Sequence, residues 1–216
     1  MMWPWLVLLL LGVGHGVNPG MGWLFAVALG LQEKERRAVW RALLPLALGH
    51  ALAIAVVIVL ASAVGLIVPV RQLEWMVAAT LIGLGTWRLV RHRHLRWGGM
   101  RMSMRDLAIW SFLMATAHGA GLMALPFAIE AGAVTNPTAA YAADHLGHMD
   151  AAIPGGGMSA LIATLVHAFG YLLVTGLLAV VVYEWVGLRL LRRVWVNVDL
   201  VWGVALVGTG VVTLLV

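Results

Sequence analysis

Four histidines stand inside apolar stretches where a polar side chain is costly: His15, His50, His118 and His167. A neutral imidazole offers a lone pair to zinc, nickel, copper or cobalt, and it can also pass a proton. Polar groups at membrane depth face the bundle interior and mark a pathway, or they donate to a carbonyl freed by a nearby glycine or proline and join helices. The placement of these four follows a rule. His15 and His118 each precede glycine, and His50 and His167 each precede alanine. Packing alone gives no reason for that recurrence. All four are therefore read as central metal ligands or pathway residues, with relay and helix-joining roles left open.

Asn18-Pro19-Gly20 follows His15 directly. Pro19 removes a backbone donor and disfavours a continuous helix, so a break near Asn18 is expected, with half-helix ends facing substrate or a kink serving packing. Met21, Met114 and Met123 could add soft thioether contacts for Cu(I), or fill gaps. A second group, Asp144, His145, His148 and Asp150, has two histidines three apart between carboxylates. A helical turn there would place them to capture a divalent cation outside the membrane, although a solvated loop carries such residues too. His92 and His94 sit among arginines that repel cations. Glu130, Glu184 and Asp199 fall near the ends of apolar stretches, where they reach headgroups or water. Glu130 is the carboxylate best placed to serve a gate. Asn197 and Asp199 could cap the last helix.

The elements that must position these residues are membrane helices. The chain has 216 residues, 62% hydrophobic and 11% charged, a composition foreign to an ordinary soluble domain. Six apolar spans are expected, at about 3–31, 42–64, 73–90, 107–134, 158–186 and 196–216. The first would measure roughly 43 Å as one helix against a hydrocarbon core of about 30 Å, so it must tilt, protrude or break. The first stretch lacks the basic start of a cleaved signal peptide and is read as a span. Arginines and the single lysine, Lys34, concentrate after spans one, three and five. The positive-inside rule then puts those loops in the cytoplasm and both termini outside, in a bacterial inner membrane. The net charge of +5 is thus a topology signal and not a nucleic-acid footprint.

Several chemistries fall away. The chain has no cysteine, hence no disulfide or thiolate chemistry. Lys34 lies in a loop, which disfavours a retinal Schiff base. No phosphate-binding Gly-x-x-x-x-Gly-Lys loop or nucleophile elbow occurs, and nothing indicates a nucleotide or flavin.

The halves match in order. His15-Gly16 with Gly20-Met21 is answered by His118-Gly119 with Gly121 and Met123. His50 is answered by His167, and Gly83-Leu84-Gly85 by Gly208-Thr209-Gly210. Three spans per half give the halves opposite orientation, the pattern of secondary transporters, in which irregular segments point to the binding site. His15 and His118 lie about 17–18 Å into their spans, and His50 and His167 about 13 Å, so one layer near the midplane can hold all four. The expected fold is all-α: one polytopic transmembrane domain over 1–216, with repeats at about 1–92 and 106–216, an outside loop at 135–157, and broken helices one and four.

Six spans in two inverted halves, an early Asn18-Pro19-Gly20, the His-Gly pairs and a basic turn from Lys34 to Arg41 resemble the lysine-exporter superfamily. That group holds amino-acid exporters, nickel/cobalt resistance permeases and DsbD-like membrane domains. The chain lacks the His-x4-Asp-His signature usual in the nickel/cobalt permeases and the paired cysteines of DsbD-like domains. The resemblance implies a small permease, with export by analogy. The expected function is secondary transport of a small solute, foremost a divalent transition-metal cation (Ni, Co, Zn or Cu). Its partners would be the lipid bilayer, the cargo and a second copy of the chain. The alternatives are an intramembrane metalloprotein using the same histidines as fixed haem or copper ligands, and an accessory subunit of a larger complex.

Overall fold

The computed structural model describes residues 2–65, 67–90, 103–132, 155–186 and 198–215. Among these the chain is helical throughout, in eight α-helices joined by one 3-10 turn and one π turn. Helix α1 (Trp3–Val17) begins with a proline in its first turn, where the missing N–H costs nothing. It stops at Asn18 because Pro19 cannot continue it. A 3-10 turn, Pro19–Met21, leads to Gly22 at φ +136°, a conformation that L side chains rarely adopt, and helix α2 (Trp23–Glu33) follows. The first apolar stretch is therefore two helices and a break, as expected.

Helix α3 (Arg36–Gly65) is roughly 45 Å long. It starts earlier than its apolar core because the charged residues near its start are good helix formers. Helix α4 (Val70–Val90) follows. Helix α5 (Met104–Ala117) opens on a capping box, in which Asp106 N–H donates to Ser103 Oγ and Ser103 N–H to Asp106 Oδ2 at 2.9 Å. It breaks at His118-Gly119, with Gly119 at φ +72°, and resumes as α6 (Ala120–Glu130), bent by 68°. Helix α7 (Gly155–Val181) runs into a π turn, Val182–Val186, and helix α8 is Val198–Leu215.

Three helices are long and apolar enough to cross a membrane, and the bent α5–α6 pair makes a fourth candidate. Helices α1 and α2 and the stretch Leu200–Leu215 are apolar but shorter. The outer faces fit a multi-pass membrane protein. Helix α7 exposes Leu161, Leu165, Phe169, Leu173 and Leu177, one residue per turn, and α3 exposes Leu44, Leu48 and Leu52 in the same way. Such stripes would be a liability in water and are ordinary against lipid.

The most extensive packing is α4 on α8, α1 on α7 and α3 on α5. Glycine permits the closest approaches. A Cβ on Gly12 would fall 2.0 Å from the His167 carbonyl oxygen, and one on Gly49 2.2 Å from that of Ala108. Small residues at such contacts let backbones meet where no hydrophobic force drives association. The interior is sorted into layers. One apolar cluster holds Leu8, Ile54, Ile58, Leu81 and Met123. Another, nearer the charged turn 32–37, holds Trp23, Val39, Leu46 and Ala179. Met21, Tyr171 and Trp202 form a third, smaller cluster, and the buried histidines belong with it.

Candidate functional site

His15 lies in the last turn of α1, His50 halfway along α3 and His167 halfway along α7; all three are wholly buried. Ring centroids are 5.0 Å apart for His15 and His167, 5.4 Å for His15 and His50, and 5.4 Å for His50 and His167. The structure brings these three, two from the first half of the sequence and one from the second, into mutual contact. His118, at the end of α5, meets the group at Trp202, whose ring centroid is 6.0 Å from His118 and 4.7 Å from His15. His50 also stacks on Tyr171 at 3.9 Å.

Two backbone bonds set ring orientation in the same way in both halves. His15 Nδ1 lies 2.7 Å from the Leu11 carbonyl oxygen and His118 Nδ1 2.8 Å from that of Met114, each four residues back. A carbonyl can only accept, so Nδ1 carries the proton and Nε2 of His15 keeps its lone pair. That Nε2 has no hydrogen-bond partner, and neither do the two ring nitrogens of His50. His167 faces the Leu8 carbonyl without reaching hydrogen-bond geometry. Asn18 Nδ2 and Thr175 Oγ1 are likewise buried and unpaired. Each such group costs about 1–3 kcal/mol. Gathering them in one layer is a feature that packing does not explain.

The spacing of the three rings matches that around a tetrahedral zinc, where Zn–N bonds of 2.0–2.1 Å put ring centres roughly 5 Å apart. The orientation does not match. His50 and His167 are stacked with planes 13° apart, so their in-plane lone pairs do not converge. Among the described residues no three His, Cys, Asp or Glu side chains are set to hold a metal ion.

The breaks also differ from the expectation of bare half-helix ends. Their carbonyls are already met by distant donors. Trp23 Nε1 donates to Val17 O at 3.1 Å, Trp110 Nε1 to Gly20 O at 3.1 Å, Tyr171 OH to Met21 O at 2.7 Å, and Trp202 Nε1 to His118 O at 3.2 Å. Arg88 reaches the Ala117 carbonyl. Asn18 Oδ1 accepts from Gly20 N–H at 2.9 Å, capping the 3-10 turn. Irregular backbone at this depth must be satisfied by neighbouring protein, and aromatic N–H and O–H groups do so here.

Tyr171, Trp202, Ser111 and Thr175 are site residues that the sequence reading passed over. A signal existed for two of them: Tyr171 and Thr175 continue the face of His167 at four-residue steps. Trp202 and Ser111 reach the layer from other helices and have no local signal. Among the methionines, Met21 is buried against Tyr171 and Trp202, Met114 packs beside them, and Met123 belongs to the cluster of Leu8 and Ile54. Glu130 is exposed at the end of α6 and lines, with Glu74 and Trp3, a surface cavity of about 260 Å³. Glu184 pairs with Arg36 at 2.9 Å. Asp144, His145, His148 and Asp150, with His92, His94 and Asn197, lie outside the described residues, as does the side chain of Asp199. Set against protein-family models, curated proteins and solved structures, the chain has no match.

Proposed function

We propose that the chain is a small secondary transporter of a divalent transition-metal cation, bound by imidazoles between two oppositely inserted three-helix halves. The observation that carries this is the contact of His15, His50 and His167, drawn from both halves and buried with unpaired nitrogens between two apolar clusters. A cation there would satisfy lone pairs that are otherwise left at a cost. Packing supports the inverted repeat. The first helix of each half lies on the second helix of the other, α1 on α7 and α5 on α3, and the third helices α4 and α8 lie on each other. A two-fold axis in the membrane plane generates that pairing. The six spans are then α1 with α2, α3, α4, α5 with α6, α7 and α8. The charged turns face the cytoplasm of a bacterium and both termini face out. Kinship with the lysine-exporter superfamily belongs to the same proposal and rests on Asn18-Pro19-Gly20 and the His-Gly pairs.

The test is Zn²⁺ binding by calorimetry and Zn²⁺ uptake into vesicles carrying the purified chain. Wild type binds and transports, and His15→Ala loses both while still purifying as a folded helical protein. Unchanged affinity in His15→Ala refutes the site. Metal that stays bound at fixed stoichiometry through chelator treatment, without uptake, favours the fixed-ligand metalloprotein instead.

A further inference from the structure

The two faces of the imidazole layer are built from different chemistry. Counting from the matched histidines, seven residues before His118 is Ser111, and seven before His15 is Leu8. Four and eight residues after His167 are Tyr171 and Thr175, and after His50 they are Ile54 and Ile58. Three residues after His15 is Asn18, and after His118 it is Gly121. Leu8, Ile54 and Ile58 all fall in the apolar cluster on one side of the layer. Ser111, Tyr171 and Asn18 gather on the other side, toward the charged turn 32–37. Tyr171 OH donates to Met21 O, Ser111 Oγ donates to Leu46 O at 2.6 Å, and the Ser111 and Thr175 hydroxyls lie beside the Tyr171 oxygen. Thr175 is wholly buried beside the Tyr171 hydroxyl, and its Oγ1 makes no hydrogen bond of good geometry.

We infer that Asn18, Ser111, Tyr171 and Thr175 form a second station for the transported cation, which supplies oxygen ligands to a partly hydrated ion between the imidazoles and the charged end of the bundle. This rests on the transport reading above. A cation leaving nitrogen ligands needs replacement donors before it meets bulk water, and hydroxyl and carbonyl oxygens supply them. On the opposite face the cluster of Leu8, Ile54 and Ile58 adjoins the imidazoles, so passage on that side requires it to part and admit water. The station thus gives the cation oxygen ligands beside the imidazoles before it meets the cluster of Trp23, Val39 and Leu46 on the way to the charged end.

The experiment compares wild type, Thr175→Val and Thr175→Ser in the same vesicles with Zn²⁺ as the probe. Valine keeps the shape and removes the hydroxyl; serine keeps the hydroxyl. Thr175→Val is expected to slow Zn²⁺ uptake at least tenfold while calorimetric affinity stays within about threefold of wild type, and Thr175→Ser to transport within about threefold of wild type. Uptake by Thr175→Val equal to wild type overturns the station and leaves the imidazole site standing. Loss of binding in Thr175→Val to the extent seen in His15→Ala also overturns it, since the oxygens would then belong to the first site. A wild type that neither binds nor moves Zn²⁺ overturns both readings.

Discussion

At the scale of single residues, the informative quantity is the cost of the unpaired imidazoles. His50 has both ring nitrogens without partners, which costs on the order of 1–3 kcal/mol each, and its stack on Tyr171 returns roughly 0.5–1.5 kcal/mol. The first term wins. Replacing His50 with leucine, close in volume and without polar atoms, should leave the melting temperature unchanged or raise it while abolishing Zn²⁺ binding. A melting temperature lowered by many degrees would mean that the ring is structural and that its nitrogens have partners. Histidines at matched places were legible in the sequence because the residue type is so costly in an apolar span. Tyr171 and Trp202 were not, because an aromatic in such a span reads as packing until a distant carbonyl is shown to accept from it.

At the scale of elements, helix contact is set by where a side chain is missing. Gly12 and Gly14 are two residues apart on α1, but only Gly12 meets another backbone; a Cβ at Gly14 has nothing within 4 Å. Gly14→Ala should therefore hold or gain stability, since alanine is favoured in a helix interior by roughly 0.5–1 kcal/mol. Gly12→Ala must push α1 off α7 and separate His15 from His167. Melting temperature and Zn²⁺ affinity of the two variants check this: equal behaviour would show that the α1–α7 contact is soft. The breaks were readable from Pro19 and from the His-Gly pairs, because each is a local backbone statement. Their satisfaction by Trp110 and Tyr171 was not, since those donors lie 90 and 150 residues from the carbonyls they serve. Helix ends were read short for a related reason. Hydropathy marks the apolar core of α3, whereas the helix continues through Arg36, Arg37 and Arg41, which carry charge and still form helix well.

At the scale of the whole molecule, the two ends of the bundle differ in what holds them shut. Toward the charged turns the halves are tied by the Arg36–Glu184 pair, more than half exposed on the arginine side and so contributing about 0–1 kcal/mol. Behind it lie the apolar cluster of Trp23, Val39, Leu46 and Ala179 and then the polar residues around Tyr171. At the other end the closure is the larger of the two apolar clusters, in which Leu8, Ile54 and Ile58 are all fully or almost fully buried. Opening there exposes close-packed aliphatic surface, at about 25 cal/mol per Å². On the transport reading, the charged end should therefore open more often in the unloaded protein. The chain has no cysteine, so single introduced thiols report on each side without background. Thr175→Cys should react with a membrane-impermeant maleimide from the charged end at least tenfold faster than Ile58→Cys reacts from the opposite end. Added Zn²⁺ should slow the first reaction by occupying the adjacent layer and leave the second unaffected. Equal rates from the two ends would mean that the closures are matched in strength, and the difference in chemistry across the imidazole layer would then have no bearing on which side opens.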